Sequence, residues 1–243
     1  MNLLSIELIK TKRLGNYIML GIVLLISILL SAFYFHILSK HHVTGAANSL
    51  FGLDAFQNTI VSFVFVVFVI MNIGKEYTDK TLRRAIIDGY NRDLFFTGKI
   101  IITLTFTVIL FVLLKLVLVS CALITGQASL LTDYLTFPIL VNQFLSLLTN
   151  GIIGFFLVFL TQSVAISIII YFVWITLENI LASMLPQVWD GWQPDYINYF
   201  PLKVIQKMFS PAVADTQVIV MAMIYLTIML VLPYFLFLKR DIK

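Results

Sequence analysis

Lys115 and Glu178 are the only formally charged residues deep inside the long apolar runs of this chain. A lone charge at the centre of a lipid-spanning helix costs at least ~2.5 kcal/mol on insertion scales, so each needs a partner or a polar cavity. Each lies roughly fifteen residues from the end of its run nearer the basic loops, and at ~1.5 Å of rise per residue the two share a depth in the outer half of the membrane. The spacing predicts an ion pair or shared polar cluster, within one chain or across a dimer. Its role is either to fix helix packing or to meet substrate.

Other constellations carry less chemistry. His36, His41 and His42 lie near one another, but no Cys, Asp or Glu at ligand spacing completes a metal site, and solvated histidines are the simpler reading. Gly98 and Lys99 look like the end of a phosphate-cradling loop. Ile100 follows them, however, and Asp93 stands where the first glycine of that motif belongs, so the chain carries no nucleotide site. No Ser/His/Asp arrangement or pair of intramembrane carboxylates supports a membrane enzyme. The single cysteine, Cys121, sits in an apolar run and reads as a small hydrophobe. Asn142, Gln143, Asn150, Thr161 and Gln162 either line a polar path or hydrogen-bond between helices.

The elements that position these residues are membrane helices. The chain has 243 residues, 60% of them apolar and 12% charged. Its mean hydropathy is +1.01. That leaves too little polar surface to cover a soluble globule. Six apolar stretches, at about 17–38, 57–73, 100–125, 139–160, 164–185 and 217–238, each approach the ~20 residues a helix needs to cross ~30 Å of hydrocarbon. The fold class is therefore an all-α integral membrane protein, with residues 1–243 forming a single transmembrane domain. The second stretch is the shortest and has a start near Asp54 as an alternative. Gly151, Gly154 and Pro233 are interruptions that membrane helices tolerate. Lys10, Lys12 and Arg13 precede a first stretch too long for a signal-peptide core and without a small-residue cleavage site, so the first helix is expected to be retained.

Basic residues fix the expected orientation. Lys10, Lys12, Arg13, Lys75, Lys80, Arg83, Arg84, Arg92, Lys99, Lys239, Arg240 and Lys243 fall on one side of six spans. Lys40, Lys203 and Lys207 fall on the other. The excess places both termini in the cytoplasm. The net charge of +4 is thus a topological signal beside the apolar runs, with no continuous stripe suited to nucleic acid. Membrane lipid is the expected surrounding.

Two connections are more than turns. In the cytoplasmic loop 74–99, Thr78 or Asp79 can cap a helix in which Leu82, Ala85, Ile86 and Gly89 repeat at helical spacing, opposite Lys80, Arg83 and Arg84. Asn91 can cap the next helix, which runs through Phe95 and Phe96 into the third span. Such a short amphipathic helix suits a mechanical contact; the alternative is a basic loop that fixes topology and touches anionic lipid. The outer segment 186–216 carries Trp189, Trp192, Tyr196 and Tyr199, and Pro201 can start an interfacial, re-entrant-like helix. Its Leu202, Ile205 and Phe209 would face one way and its Lys203, Gln206 and Lys207 the other.

In that cytoplasmic loop the sequence resembles the permeases of the ABC-2 type transporter family. Glu76, Thr81, Leu82, Arg92, Gly98 and Lys99 follow the order of the family's loop, with Lys80 in place of the usual glycine and no proline upstream of Arg92. The resemblance extends to a basic amphipathic N-terminal segment, six spans, a very short connection at Thr161 to Ser163 and a long aromatic segment before the last span. It implies an ABC exporter subunit whose loop, through Glu76, Thr81, Leu82, Arg83, Arg84, Ile86 and Arg92, is a coupling helix seated in a separate cytoplasmic ATPase. ATP and Mg would bind that ATPase and no cofactor would bind this chain. The resemblance further implies two ATPases working with two permease chains, the second expected to be identical. It also implies an outer gate at Trp189, Trp192, Tyr199 and Phe209, for which an aromatic-belt anchor is the plainer reading. Two other classes compete: a gradient-driven carrier or channel, for which no inverted repeat is visible, and a membrane anchor for a partner protein.

Overall fold

The computed structural model describes residues 17–18, 21–31, 46–79, 81, 87, 91–124, 131–188, 199–208 and 216–239. Among them are no strand and the helices α1 (Ala46–Thr78), α2 (Arg92–Ile124), α3 (Leu131–Tyr134), α4 (Phe137–Thr161), α5 (Val164–Val188), α6 (Pro201–Met208) and α7 (Thr216–Lys239), beside a shorter helical stretch near the N-terminus. Five stretches, Thr59–Thr78, Arg92–Ile124, Phe137–Thr161, Val164–Leu185 and Thr216–Lys239, are long and apolar enough to cross a membrane. They correspond to the second through sixth expected spans. Of the first, Gly21–Ser31 is a shorter apolar helix. Its Val23, Ser27 and Ser31, one stripe at a spacing of four, are buried while Ile22, Leu25, Ile28 and Leu29 are exposed.

Helix α4 is the hub: α1, α2, α5, α6 and α7 all pack on it. Apolar burial explains this poorly in lipid, where hydrocarbon solvates every face equally and close packing and hydrogen bonds must do the selecting. Small residues on α4 supply the close packing. A Cβ at Gly154 would come within 2.9 Å of the Val66 carbonyl oxygen on α1, and one at Gly151 within 2.8 Å of the Phe65 ring. These glycines are contact points in a continuous helix. Polar residues are also buried on α4, namely Asn142, Gln143, Ser146, Thr149 and Asn150, and Ser146 hydrogen-bonds across to the Ile205 carbonyl on α6.

The outward faces confirm the surroundings. Leu104, Val108, Val112 and Leu116 on α2 are exposed, as are Ile166, Ile169, Val173, Leu177 and Leu181 on α5. A soluble protein does not leave such stripes uncovered, whereas lipid does so without cost.

Several expected boundaries move. Span two is no short helix, because α1 runs 33 residues from Ala46 to Thr78. Thr78 is the last residue of α1, its hydroxyl donating back to the Gly74 carbonyl at 3.2 Å. The Asp79 N–H likewise continues the helical pattern to the Lys75 carbonyl. Helix α2 begins at Arg92, well before the apolar run, and Asn91 caps it by accepting the Asp93 N–H at 3.0 Å. The connection at Thr161 to Ser163 is as short as expected. Gln162 closes α4 in the left-handed region (φ 56°) and donates its N–H to the Val158 carbonyl.

Candidate functional site

At the loop end of the bundle the roots of the α1–α2 loop are locked together. Lys99 Nζ lies 2.8 Å from Glu76 Oε1, joining α2 to α1, and only 2% of the Lys99 side chain is exposed. The ammonium also sits 5.0 Å from the centre of the Phe95 ring, one turn earlier on α2. A buried cation is tolerated only with such partners, since desolvating it alone costs several kcal/mol. Around the pair, Phe95, Phe96, Phe155, Phe159 and Phe237 form a cluster of stacked and edge-on rings drawn from α2, α4 and α7.

The first residues of α2 also hold the end of α7. Arg92 Nη1 donates to the Leu238 carbonyl at 2.9 Å and reaches that of Phe237 at 3.5 Å. These are carbonyls that a helix C-terminus leaves without intrahelical donors. The Tyr234 hydroxyl donates to Asp93 Oδ1 at 3.0 Å. On the other side, Gly74 of α1 meets the start of α5, where an added Cβ would lie 2.5 Å from a Val164 methyl. Glu76, Lys99 and Arg92 therefore tie α1, α2 and α7 together at the roots of the loop.

Thr81 is exposed and donates its hydroxyl to the Glu76 carbonyl at 3.2 Å. Leu82, Arg83, Arg84 and Ile86, the centre of the expected amphipathic stripe, lie outside the described residues, as do Trp189, Trp192, Phe209 and the three histidines. Of the expected outer set, Tyr199 is described. Its hydroxyl donates to Gln217 Oε1 at 3.0 Å, and its carbonyl accepts from the Tyr225 hydroxyl, tying the segment to α7.

At the far end, Glu178 is buried, but its partner is not Lys115. Trp174 Nε1 donates to Oε1 at 2.7 Å, and the Leu202 N–H donates to Oε2 at 3.1 Å and to Oε1 at 3.3 Å. The second of these is the N-terminus of α6, where unpaired N–H groups and the helix dipole favour a carboxylate. The expected pair is thus not formed within the chain, because a neighbouring ring and a helix end occupy the carboxylate. Lys115 instead places its ammonium 5.7 Å from the Phe111 ring centre on its own helix.

Helix α6 buries Leu202, Val204, Ile205 and Met208 and exposes Gln206 and Lys207. It packs on α4 and α7, and Ser146 of α4 donates to the Ile205 carbonyl at 3.0 Å. Between α1, α4, α5 and α6 is a cavity of about 310 Å³, bordered by Ser62, Phe63, Asn150, Tyr171, Glu178 and Lys203 among others. Among the described residues, no three His, Cys, Asp or Glu side chains are grouped to hold a metal ion.

Lys99 is the residue that sequence reasoning undervalued. It lies on the stripe of α2 that buries Phe95, Phe96, Ile102, Thr103 and Phe106. That register is legible once the helix is started at Arg92. The cavity, by contrast, is assembled from four helices and leaves no local pattern.

A bundle with five membrane-length helices and lipid-facing aliphatic stripes defines a multi-pass membrane protein. The chain matches the ABC-2 family transporter proteins over residues 3–178 and belongs to that family. It is therefore a membrane permease of the ABC type. No curated protein matches it.

Proposed function

We propose that this chain is the permease subunit of an ABC exporter, driven by a separate cytoplasmic ATPase that binds ATP and Mg. The family match over residues 3–178, which includes the α1–α2 loop, carries the reading. On it, Gly21–Ser31 is the described part of a first membrane helix. The bundle then has six spans with both termini in the cytoplasm, as the distribution of basic residues predicts. The loop is the coupling helix, and two permease chains work with two ATPases.

The geometry of the loop roots supports this assignment. A loop that receives mechanical work must be stiffly joined to the helices it moves. The Glu76–Lys99 pair and the Arg92 contact to α7 supply that stiffness at both of its ends. The phosphate-binding motif is lacking in this sequence, so hydrolysis belongs to the partner.

The test is copurification with a cytoplasmic ABC ATPase from the same cells, together with ATP-stimulated transport in vesicles. Changing Leu82 and Ile86 together to Glu is expected to abolish both while the permease still reaches the membrane. Intact assembly and activity in that double variant would overturn the coupling-helix assignment.

A further inference from the structure

Tyr171 on α5 and Asn150 on α4 border the far-end cavity, and only 3% and 4% of them is exposed. Tyr171 stacks its ring on Phe63 of α1, with centroids 5.6 Å apart, and its hydroxyl has no hydrogen-bond partner among the described residues. Asn150 donates one amide proton to the Ser146 carbonyl at 3.0 Å, while its Oδ1 accepts from no described residue. Ser62 Oγ is enclosed by its neighbours and takes no part, whereas neither the Tyr171 hydroxyl nor Asn150 Oδ1 is enclosed. Buried polar atoms are nearly always bonded, so two unbonded ones on one cavity wall point to a ligand that completes them.

The charges at the rim are already matched. Glu178 accepts from Trp174 and from the Leu202 and Lys203 N–H groups, and the Lys203 ammonium faces the same carboxylate. That ammonium also donates to Asn179 Oδ1 at 3.0 Å and to Gln206 Oε1 at 3.3 Å. An ionised ligand would enter without a counter-charge, and an unpaired charge is costly to desolvate. Tyr171 lies about 10 Å along α5 from Glu178, at ~1.5 Å per residue, so the two unbonded groups form a neutral polar spot below the rim. Ile60, Phe63, Ile175 and Ile205 make the remaining wall apolar. A volume of about 310 Å³ is at the small end of ligand pockets and suits one chain better than two.

We propose that this cavity binds one uncharged, single-chain amphiphile from the membrane, of the alkanol class. Its hydroxyl donates to Asn150 Oδ1 and accepts from the Tyr171 hydroxyl, and its chain lies along Phe63 and Ile175. The site requires no ATPase, so it stands or falls separately from the coupling reading.

Photolabelling of the full chain in phosphatidylcholine nanodiscs with a diazirine-bearing decanol tests it. Decanoate, decylammonium and decane carrying the same diazirine are the comparison probes. Label on the peptide that contains Tyr171 and Ile175 is divided by label on the exposed stripe of Leu104, Val108 and Val112, which corrects for partitioning into the bilayer. The expected result is saturable decanol label at least about fivefold above each comparison, the scale of a neutral hydrogen bond. Tyr171→Phe and Asn150→Leu should each lower it about fivefold, and Ile175→Trp should abolish it by filling the space. Tyr171→Phe removes one oxygen and keeps the ring against Phe63, so the test stays decisive if Ile175→Trp fails to fold. Label that does not saturate, decanol label no stronger than that of decane or of either ion, or label unchanged in both Tyr171→Phe and Asn150→Leu would overturn the proposal.

Discussion

Lys99 is accommodated at 2% exposure because Glu76 and the Phe95 ring lie against its ammonium. Removing one member of a buried pair leaves the other charge desolvated and costs ~3–5 kcal/mol, whereas replacing both with apolar groups of similar size is often near neutral. Glu76→Leu alone and Lys99→Met alone should therefore each destabilise the detergent-solubilised protein by about 3 kcal/mol. The double variant should recover most of that loss, and thermal unfolding of the four proteins measures the coupling. Single variants within a few tenths of wild type would mean that the pair contributes no stability. At this scale the sequence makes charges conspicuous but does not name their partners. Glu178 stands out in its apolar run, yet it is held by a backbone N–H twenty-four positions onward, from Leu202, and a backbone donor has no residue type to read.

Hydropathy places the helices well and their ends poorly, since it detects where hydrocarbon begins and the helix continues past that point. The apolar run at 57–73 belongs to a helix that spans Ala46–Thr78, and the run starting at 100 belongs to one starting at Arg92. Glycines separate contact from tolerance within these elements. Gly154 touches the backbone of α1, so Gly154→Ala should destabilise by ~1–3 kcal/mol through overpacking. Gly21 has nothing within 4 Å of an added Cβ, so Gly21→Ala should be neutral or stabilise by up to ~1 kcal/mol. Melting of the two variants side by side checks the contrast, and equal effects would contradict the packing assigned to α4. The Arg92 contact makes a separate claim about α7. With Arg92→Met, amide exchange in Phe235–Lys239 should quicken about tenfold, a local loss of ~1.4 kcal/mol, while the middle of α7 exchanges as before. Unchanged exchange in that last turn would show that the carbonyls of Phe237 and Leu238 do not depend on the guanidinium.

For the whole molecule, the apolar count makes the membrane class legible, but not which helix lies at the centre. In lipid every face of α4 and α5 can be apolar, and the choice between them rests on Gly151, Gly154 and the bond from Ser146 to α6. The two ends of the bundle differ in kind. The loop end is joined by the Glu76–Lys99 pair and the Phe95 cluster, whereas the far end is joined by α6 over the cavity. If the charge bias fixes orientation, the first end faces the cytoplasm and α6 faces outward. Thr81 and Gln206 are both exposed and report on the two ends. In a Cys121→Ser background, which removes the only native thiol, Gln206→Cys should react with a membrane-impermeant maleimide in intact cells. Thr81→Cys should react only after permeabilisation. The reverse labelling pattern would invert the orientation and put the α1–α2 loop out of reach of a cytoplasmic ATPase. The expected pattern leaves that loop, with Glu76 and Lys99 at its roots, on the cytoplasmic side, where the proposed coupling requires it.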